Sequence, residues 1–179
     1  DDTFVDQSQA LEARMIVGTN RFEQEFRRRI IDRHIFDRRA EYVSSMRREI
    51  ASRHRDARAK GRELSSVKDG VGSLRDIIML LLMYKAAYRL HRPVNAQLLT
   101  DLARLEPKHQ RELRFLSGAL EFFKNLRNAY RMSVGAEDKL RREYFDVVAR
   151  SMGLPFDDEE EARERLMRAY RGCTVEVGE

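Results

Sequence analysis

The residues best suited to chemistry are concentrated in one short segment, where two glycines precede the start of an apolar helix. Lys68 comes before Gly70 and Gly72, and Arg75 and Asp76 fall in the first turn of the helix that follows. A helix N-terminus presents free backbone N–H groups and a partial positive charge, and Lys68 and Arg75 would add full charges. The spacing indicates a phosphate site, but it also fits an ordinary interhelix turn in which Arg75 and Asp76 pair or cap locally.

Other residue types that often carry catalysis are isolated in the sequence. The single cysteine, Cys173, excludes an intrachain disulfide and a thiolate zinc cage, and we expect a reducing, cytoplasmic setting. The sequence contains no nucleophile elbow, Walker loop or dinucleotide-binding glycine fingerprint. We therefore predict no catalytic and no metal-binding residue in this chain. Four histidines are present, none of them in an HExxH pattern or directly before an aspartate: His34, His54, His91 and His109.

Length and composition fit one folded domain of ordinary size, or one domain and a small part of another. The chain has 179 residues, of which 42% are hydrophobic and 36% charged, with a net charge of +5. This apolar content excludes wholesale disorder. The longest uncharged apolar run, Ile77 to Tyr84, covers 8 residues, whereas a bilayer span needs about 20. A membrane-spanning segment is therefore excluded.

Basic and acidic residues alternate along most of the chain, which predicts solvated helix faces laced with ion pairs. Only residues 47–62 approach a segregated basic surface, and they lack the interleaved aromatic residues typical of nucleic-acid binding. We therefore disfavour nucleic acid as a partner. The basic residues of this stretch are Arg47, Arg48, Arg53, Arg55, Arg58, Lys60 and Arg62, against Glu49 and Asp56.

Apolar residues spaced three and four apart, with few Gly and Pro, predict an all-α bundle of six or seven helices. The Arg-rich stretch 20–60 predicts one long helix or two helices broken near Asp37. Residues 73–90 are apolar almost all round, which is typical of a helix in the centre of a bundle. The remaining helices are predicted at 6–17, 94–105, 107–134, 137–152 and 157–171.

Four segments resemble the PII uridylyltransferase family. Val67–Asp76 resembles the Lys-x-Gly-x-Gly-Gly-Leu-Arg-Asp signature that opens the family's helical domain, and glutamine synthetase adenylyltransferases carry a similar one. Leu11–Gly18, Gly135–Leu140 and Leu166–Arg171 are similar to three further family segments and occur in the same order. The resemblance covers about residues 6 to 171. Ser73 replaces the second glycine of the Gly-Gly pair, which favours a divergent member with a different substrate.

The resemblance implies a helical domain that packs against a nucleotidyltransferase domain and closes one side of its nucleotide site. Residues 1–20 would be the tail of that domain or a linker from it, and 21–179 the helical bundle. Because the chain begins with Asp-Asp-Thr, we expect it to be a piece of a longer protein. Arg14 would tie the leading segment to the bundle.

The resemblance also implies roles for individual residues. Lys68 and Arg75 would lie near the nucleotide phosphates, with the backbone of Gly70 and Gly72 nearby, and Asp76 would orient Arg75 or cap the helix. The carboxylates that hold catalytic metals are not in this chain, so it would not be catalytic alone. Mg²⁺ and a nucleoside triphosphate would bind to the parent protein, whose activity stays open.

The same resemblance implies a role in nitrogen regulation. The partners it implies are the nucleotidyltransferase domain and a regulatory protein substrate, and a homodimer is a further candidate. An alternative from another class is an α-helical interaction module, which would bind a protein, or nucleic acid through residues 47–62.

Overall fold

The computed structural model describes residues 4–61, 64 and 66–178, and within these ranges it contains α-helices and no β-strand. The predicted all-α class is confirmed. The chain forms eight α-helices within the described ranges, against the six or seven predicted. They are α1 (Phe4–Leu11), α2 (Asn20–Phe26), α3 (Arg39–Ala59), α4 (Leu74–Ala87), α5 (Ala96–Leu105), α6 (Gln110–Ser133), α7 (Phe145–Ser151) and α8 (Glu159–Gly178).

The Arg-rich stretch forms two separate helical segments, as one of the two sequence interpretations predicted. A π-helical segment, Arg27–Phe36, continues α2, and the backbone then breaks before α3 begins at Arg39. The N–H of Asp37 donates to the carbonyl of Asp32 at 2.8 Å, which closes the last π-helical turn. No helix in the described part of the chain has both the length and the apolar character to cross a membrane.

Helix α4 lies between two hydrophobic clusters, because it is apolar on nearly every side and nine of its 14 residues are buried. One cluster joins α4 to α1, α3 and the π-helical segment, and includes Leu11, Ile31, Ile35, Phe36, Tyr42 and Met46. The other joins the opposite side of α4 to α5, α6, α7 and α8, and includes Leu98, Leu102, Leu113, Phe123, Val148 and Leu166. α4 therefore contributes buried side chains to both hydrophobic clusters.

A buried lysine fastens the leading segment to α4. The ammonium of Lys85 is fully buried and donates to the carbonyl of Leu11 at 2.5 Å and to the carboxylate of Glu12. Burial lowers the pKa of Lys85, and Glu12 partly offsets this effect. The second carboxylate oxygen of Glu12 accepts the N–H of Val94 at 3.0 Å. Glu12 thus joins the leading segment to the bundle, a role that the sequence analysis assigned to Arg14. The Arg14 side chain is exposed.

Three helix ends differ from the periodicity prediction. α1 ends at Leu11 rather than near Val17, and α8 continues to Gly178, beyond the predicted end at Arg171. The predicted helix 137–152 is wrong in its first part: α7 spans only Phe145–Ser151, after a short 3-10 turn at Arg142–Tyr144. Residues 138 and 139 bond to a distant part of the chain instead, as described below.

Candidate functional site

The segment between α3 and α4, here called the glycine turn (residues 66–73), is stabilised by its own serines. Ser66 Oγ accepts the N–H of Lys68 at 3.3 Å and of Asp69 at 3.0 Å, and the Ser66 carbonyl accepts the N–H of Gly70 at 3.1 Å. The buried hydroxyl of Ser73 lies 2.8 Å from the Lys68 carbonyl and 2.6 Å from the Gly70 carbonyl, to which it donates. The turn is therefore a closed hydrogen-bonded loop.

The backbone N–H groups at the start of α4 are also used within the chain. Leu74 N–H donates to the carbonyl of Val67 at 3.2 Å, and Arg75 N–H donates to that of Lys68 at 3.0 Å. Asp76 N–H donates to the Ser73 carbonyl at 3.0 Å. These donors are not free, although the sequence interpretation assigned free N–H groups to a phosphate. An anion at the start of α4 would therefore depend on side chains rather than on these three N–H groups.

The carboxylate of Asp76 connects three segments of the chain. It is only 6% exposed and accepts bonds from Arg53 Nη1 at 2.7 Å and His54 Nε2 at 2.6 Å, both on α3. It also accepts the N–H of Gly72 at 2.7 Å. Arg53 Nη2 donates in addition to the carbonyl of Asp69 at 3.3 Å. Asp76 therefore joins α3, the glycine turn and the first turn of α4.

Arg53 and His54 were missed by sequence reasoning. They lie within a run of basic residues on α3, and nothing in their local spacing distinguishes them from the exposed arginines around them. The roles predicted for Asp76 were to orient Arg75 or to cap the helix, but its carboxylate accepts the N–H of Gly72, which comes one residue before the N-cap Ser73. It does not bond to Arg75, which pairs with Asp69 instead.

Gly72 is a glycine for two physical reasons. Its φ of +64° lies in the left-handed region, where a Cβ is strained. A Cβ at this position would also lie 1.9 Å from the carbonyl oxygen of Thr174 and 2.9 Å from the amide nitrogen of Gly178. The backbone of the turn thus packs directly against the last turns of α8. The turns of α8 that lie beyond its predicted end are the ones that Gly72 contacts.

Two other segments of the family resemblance reach the same turn. Val67 N–H donates to the carbonyl of Asp138 at 3.0 Å, and Ser66 forms an antiparallel bridge with Lys139. The hydroxyl of Tyr170, whose ring is fully buried, donates to the Ser66 carbonyl at 3.1 Å. Burial raises the pKa of Tyr170. The segment of Leu11–Gly18 lies elsewhere and contacts α4 through Glu12.

Asp138 is itself held by two arginines of α6. Its carboxylate accepts from Arg127 at 2.7 and 3.1 Å and from Arg131 at 3.2 Å. These bonds lower the pKa of Asp138, with Arg127 the largest cause. Because α6 positions Asp138 and Asp138 holds the backbone of Val67, the glycine turn is fixed from this side as well.

Among the predicted site residues, Lys68 and Arg75 are the two that present charge at the surface. Gly70, Gly72 and Asp76 are buried. The Arg75 side chain is 42% exposed and lies 3.0 Å from the Asp69 carboxylate, which is 46% exposed. Lys68 is partly exposed and makes no ion pair with any carboxylate in the ranges described above. Over the same ranges, no group of three His, Cys, Asp or Glu residues could hold a metal ion.

Comparison with known proteins gives consistent similarities. The family model described as GlnD PII-uridylyltransferase matches residues 43–179. A bifunctional uridylyltransferase/uridylyl-removing enzyme of Caulobacter vibrioides (strain NA1000 / CB15N) is 27% identical over 179 residues, with 99% of this chain and 18% of that enzyme covered. A protein of the same name from Phenylobacterium zucineum (strain HLK1) is 29% identical with the same coverage. The chain thus spans 18% of the length of these curated relatives, and no solved structure matches it.

Replacing Gly72 by alanine tests the packing of the turn on α8. The backbone strain of a left-handed residue costs roughly 1–2 kcal/mol, and the clash with the α8 backbone adds roughly 1–3 kcal/mol. Gly153→Ala is the matched control, because Gly153 has φ +70° but no atom within 4 Å of its Cβ position. Urea unfolding of the chain should show a clearly larger loss of unfolding free energy for Gly72→Ala than for Gly153→Ala. Equal losses would contradict the close packing of Gly72 on α8.

Proposed function

The chain belongs to the GlnD PII-uridylyltransferase family, and on this premise we propose that it is the helical domain of a nucleotidyltransferase, in which the glycine turn closes one side of the nucleotide site. The resemblance first drawn from the four sequence segments is confirmed by the family match over residues 43–179. In this proposal Lys68 and Arg75 face the phosphates of the nucleotide. The buried residues Gly70, Gly72 and Asp76 hold the turn that carries these two cations.

One observation supports the proposal above all: the glycine turn is held firmly in place, and its two cations, Lys68 and Arg75, lie at the surface. The turn is bonded to α3 through Asp76 and to residue 138 through Val67, and it packs closely against α8 at Gly72, so its cations need little reorganisation to receive a ligand. Arg75 pairs with an exposed aspartate, and such surface pairs contribute only about 0–1 kcal/mol. A phosphate could therefore displace Asp69 and accept two N–H bonds from the guanidinium.

The catalytic metal and the nucleoside triphosphate belong to the parent protein in this proposal. Nucleotidyl transfer uses metal ions that stabilise the developing charge, and the described residues include no group able to hold one. We place the metal-binding carboxylates in the adjoining nucleotidyltransferase domain. The chain contributes positive charge to the nucleotide site and closes one side of it. A regulatory protein as substrate, a role in nitrogen regulation and a cytoplasmic location complete the proposal.

The double variant Lys68→Ala/Arg75→Ala in the full-length parent tests the nucleotide role. Each lost charge-assisted bond to a phosphate is worth roughly 1.5–3 kcal/mol, so nucleotide affinity, measured by isothermal titration, should fall at least tenfold. Lys108→Ala is the control. Lys108 is exposed in the short 3-10 turn just before α6, whereas the glycine turn lies near Arg127, about 28 Å further along the axis of that helix. Affinity equal to that of the control would restrict Lys68 and Arg75 to a structural role.

A second candidate function is supported by an arginine stripe on α3, defined here as Arg47, Arg48, Arg55 and Arg58. At 100° per residue these four exposed side chains fall within about 100° of the helix circumference and span about 16 Å. None of them pairs with a carboxylate of the described residues, whereas Arg53 on the other side of α3 pairs with Asp76. Such a stripe fits an interaction module that binds an acidic protein surface or a nucleic acid.

The salt dependence of binding distinguishes the two possible partners of the arginine stripe, a nucleic acid and an acidic protein surface. If the stripe binds nucleic acid, Arg47→Ala/Arg58→Ala should reduce the slope of log affinity against log salt by about 1.8, since each neutralised phosphate contributes about 0.9. Arg111→Ala/Arg114→Ala on α6 is the matched control, because these arginines are also exposed. Fluorescence anisotropy with a labelled oligonucleotide at two salt concentrations measures the slope. Absence of binding at low salt would exclude nucleic acid and leave a protein partner.

A further inference from the structure

Asp69 places a negative charge beside the two outward cations of the glycine turn. It is the one acidic residue between positions 66 and 75, a stretch that also contains Lys68 and Arg75. Oδ1 of the Asp69 carboxylate lies 3.0 Å from Nε of Arg75, and both side chains are about half-exposed. The turn therefore offers a ligand two cations, one of which is already neutralised by the chain itself.

The backbone of Asp69 is held on both sides of its side chain. Its N–H donates to Ser66 Oγ at 3.0 Å, and its carbonyl accepts from Arg53 Nη2 at 3.3 Å. Arg53 is fixed in turn, because its Nη1 donates to the buried carboxylate of Asp76 at 2.7 Å. The Asp69 carboxylate thus reaches Arg75 from a fixed backbone, and few torsions have to be ordered to form the pair.

The Asp69 carboxylate is not needed to hold the turn in place. The turn is fixed by Asp76, by the Ser73 hydroxyl and by the bond from Val67 to residue 138. Among the residues that the structure describes, Arg75 is the only ion-pair partner of Asp69. Replacing the carboxylate by an amide should therefore change the charge at the surface and leave the backbone of the turn unchanged.

The pair between Asp69 and Arg75 is open to displacement by a stronger anion. Water and salt screen an ion pair between exposed side chains, so such a pair is favoured over its separated form by a factor of about 5 at most. A polyphosphate carries several negative charges and can accept two parallel N–H bonds from a guanidinium. A phosphate can therefore replace Asp69, but it must separate Asp69 from Arg75 to do so.

We propose that Asp69 competes with the nucleotide phosphates for Arg75 and thereby lowers the nucleotide affinity of the site. This competition rests on the proposed function, since it requires a phosphate beside Lys68 and Arg75. Without nucleotide, the carboxylate neutralises the guanidinium. When nucleotide binds, the guanidinium exchanges the carboxylate for a phosphate, and the Asp69 side chain turns to solvent.

Asp69→Asn in the full-length parent tests the competition. Isothermal titration with uridine triphosphate is a suitable probe, because the relatives are named uridylyltransferases. The variant frees Arg75 and removes one repulsive charge, so its affinity should be about threefold to tenfold higher than that of the unchanged protein.

Asp157→Asn is the matched control, because it removes the same charge at a distance from the turn. Asp157 is exposed just before α8. Gly72 packs on Thr174 of that helix, about 25 Å further along its axis. The control variant should bind uridine triphosphate as the unchanged protein does, and a gain for Asp69→Asn no larger than that of the control would overturn the proposal.

The same substitution in an Arg75→Ala background separates competition from simple repulsion. If Asp69 acts through Arg75, Asp69→Asn/Arg75→Ala should bind uridine triphosphate within about twofold of Arg75→Ala alone. An equal gain in both backgrounds would overturn the proposal, because Asp69 would then repel the phosphates without competing for the guanidinium.

Failure of the proposed function gives a different pattern. If Lys68→Ala/Arg75→Ala leaves the nucleotide affinity unchanged, the nucleotide role and the competition are both wrong. If that double variant weakens binding and Asp69→Asn does not strengthen it, only the competition is wrong.

Discussion

The buried carboxylate of Asp76 is the interaction on which the arrangement of the glycine turn depends. A carboxylate removed from water costs several kcal/mol unless it is paired and hydrogen-bonded. Asp76 meets this requirement with two side chains of α3 and one backbone N–H of the turn. Because these donors belong to separate segments, the ionised carboxylate is satisfied only when α3, the turn and α4 are all in place.

This constraint divides the Val67–Asp76 signature into two groups of residues. Gly72 lets the turn approach α8, the Ser73 hydroxyl closes the loop by donating to the Gly70 carbonyl, and Asp76 fixes the turn to α3. Lys68 and Arg75 make no comparable buried contact and direct their charge outward. Most residues of this signature hold the turn in place, Lys68 and Arg75 remain at the surface, and the proposed nucleotide role rests on those two cations.

Local patterns predicted the elements well and the long-range contacts poorly. The all-α class and the central position of α4 follow from apolar spacing and composition, which act within a few turns of helix, whereas the break near Asp37 was one of two alternatives that these patterns left open. The helix predicted at 137–152 failed because Asp138 and Lys139 bond to Val67 and Ser66, about 70 residues away. The partners of Asp76 were missed for a similar reason. In the sequence, Arg53 and His54 do not differ from the other basic residues of α3, and only folding brings them to Asp76.

The most direct test of this account is the free energy of unfolding of Asp76→Asn, which keeps the size of the side chain and removes its charge. An amide cannot accept from all three donors, and breaking a buried ion pair costs about 3–5 kcal/mol. Asp37→Asn is the control, because the Asp37 side chain is 57% exposed and pairs with Arg89 at the surface. We expect Asp76→Asn to lose about 3 kcal/mol or more of unfolding free energy. A loss within about 0.5 kcal/mol, as at ordinary surface positions, would contradict it.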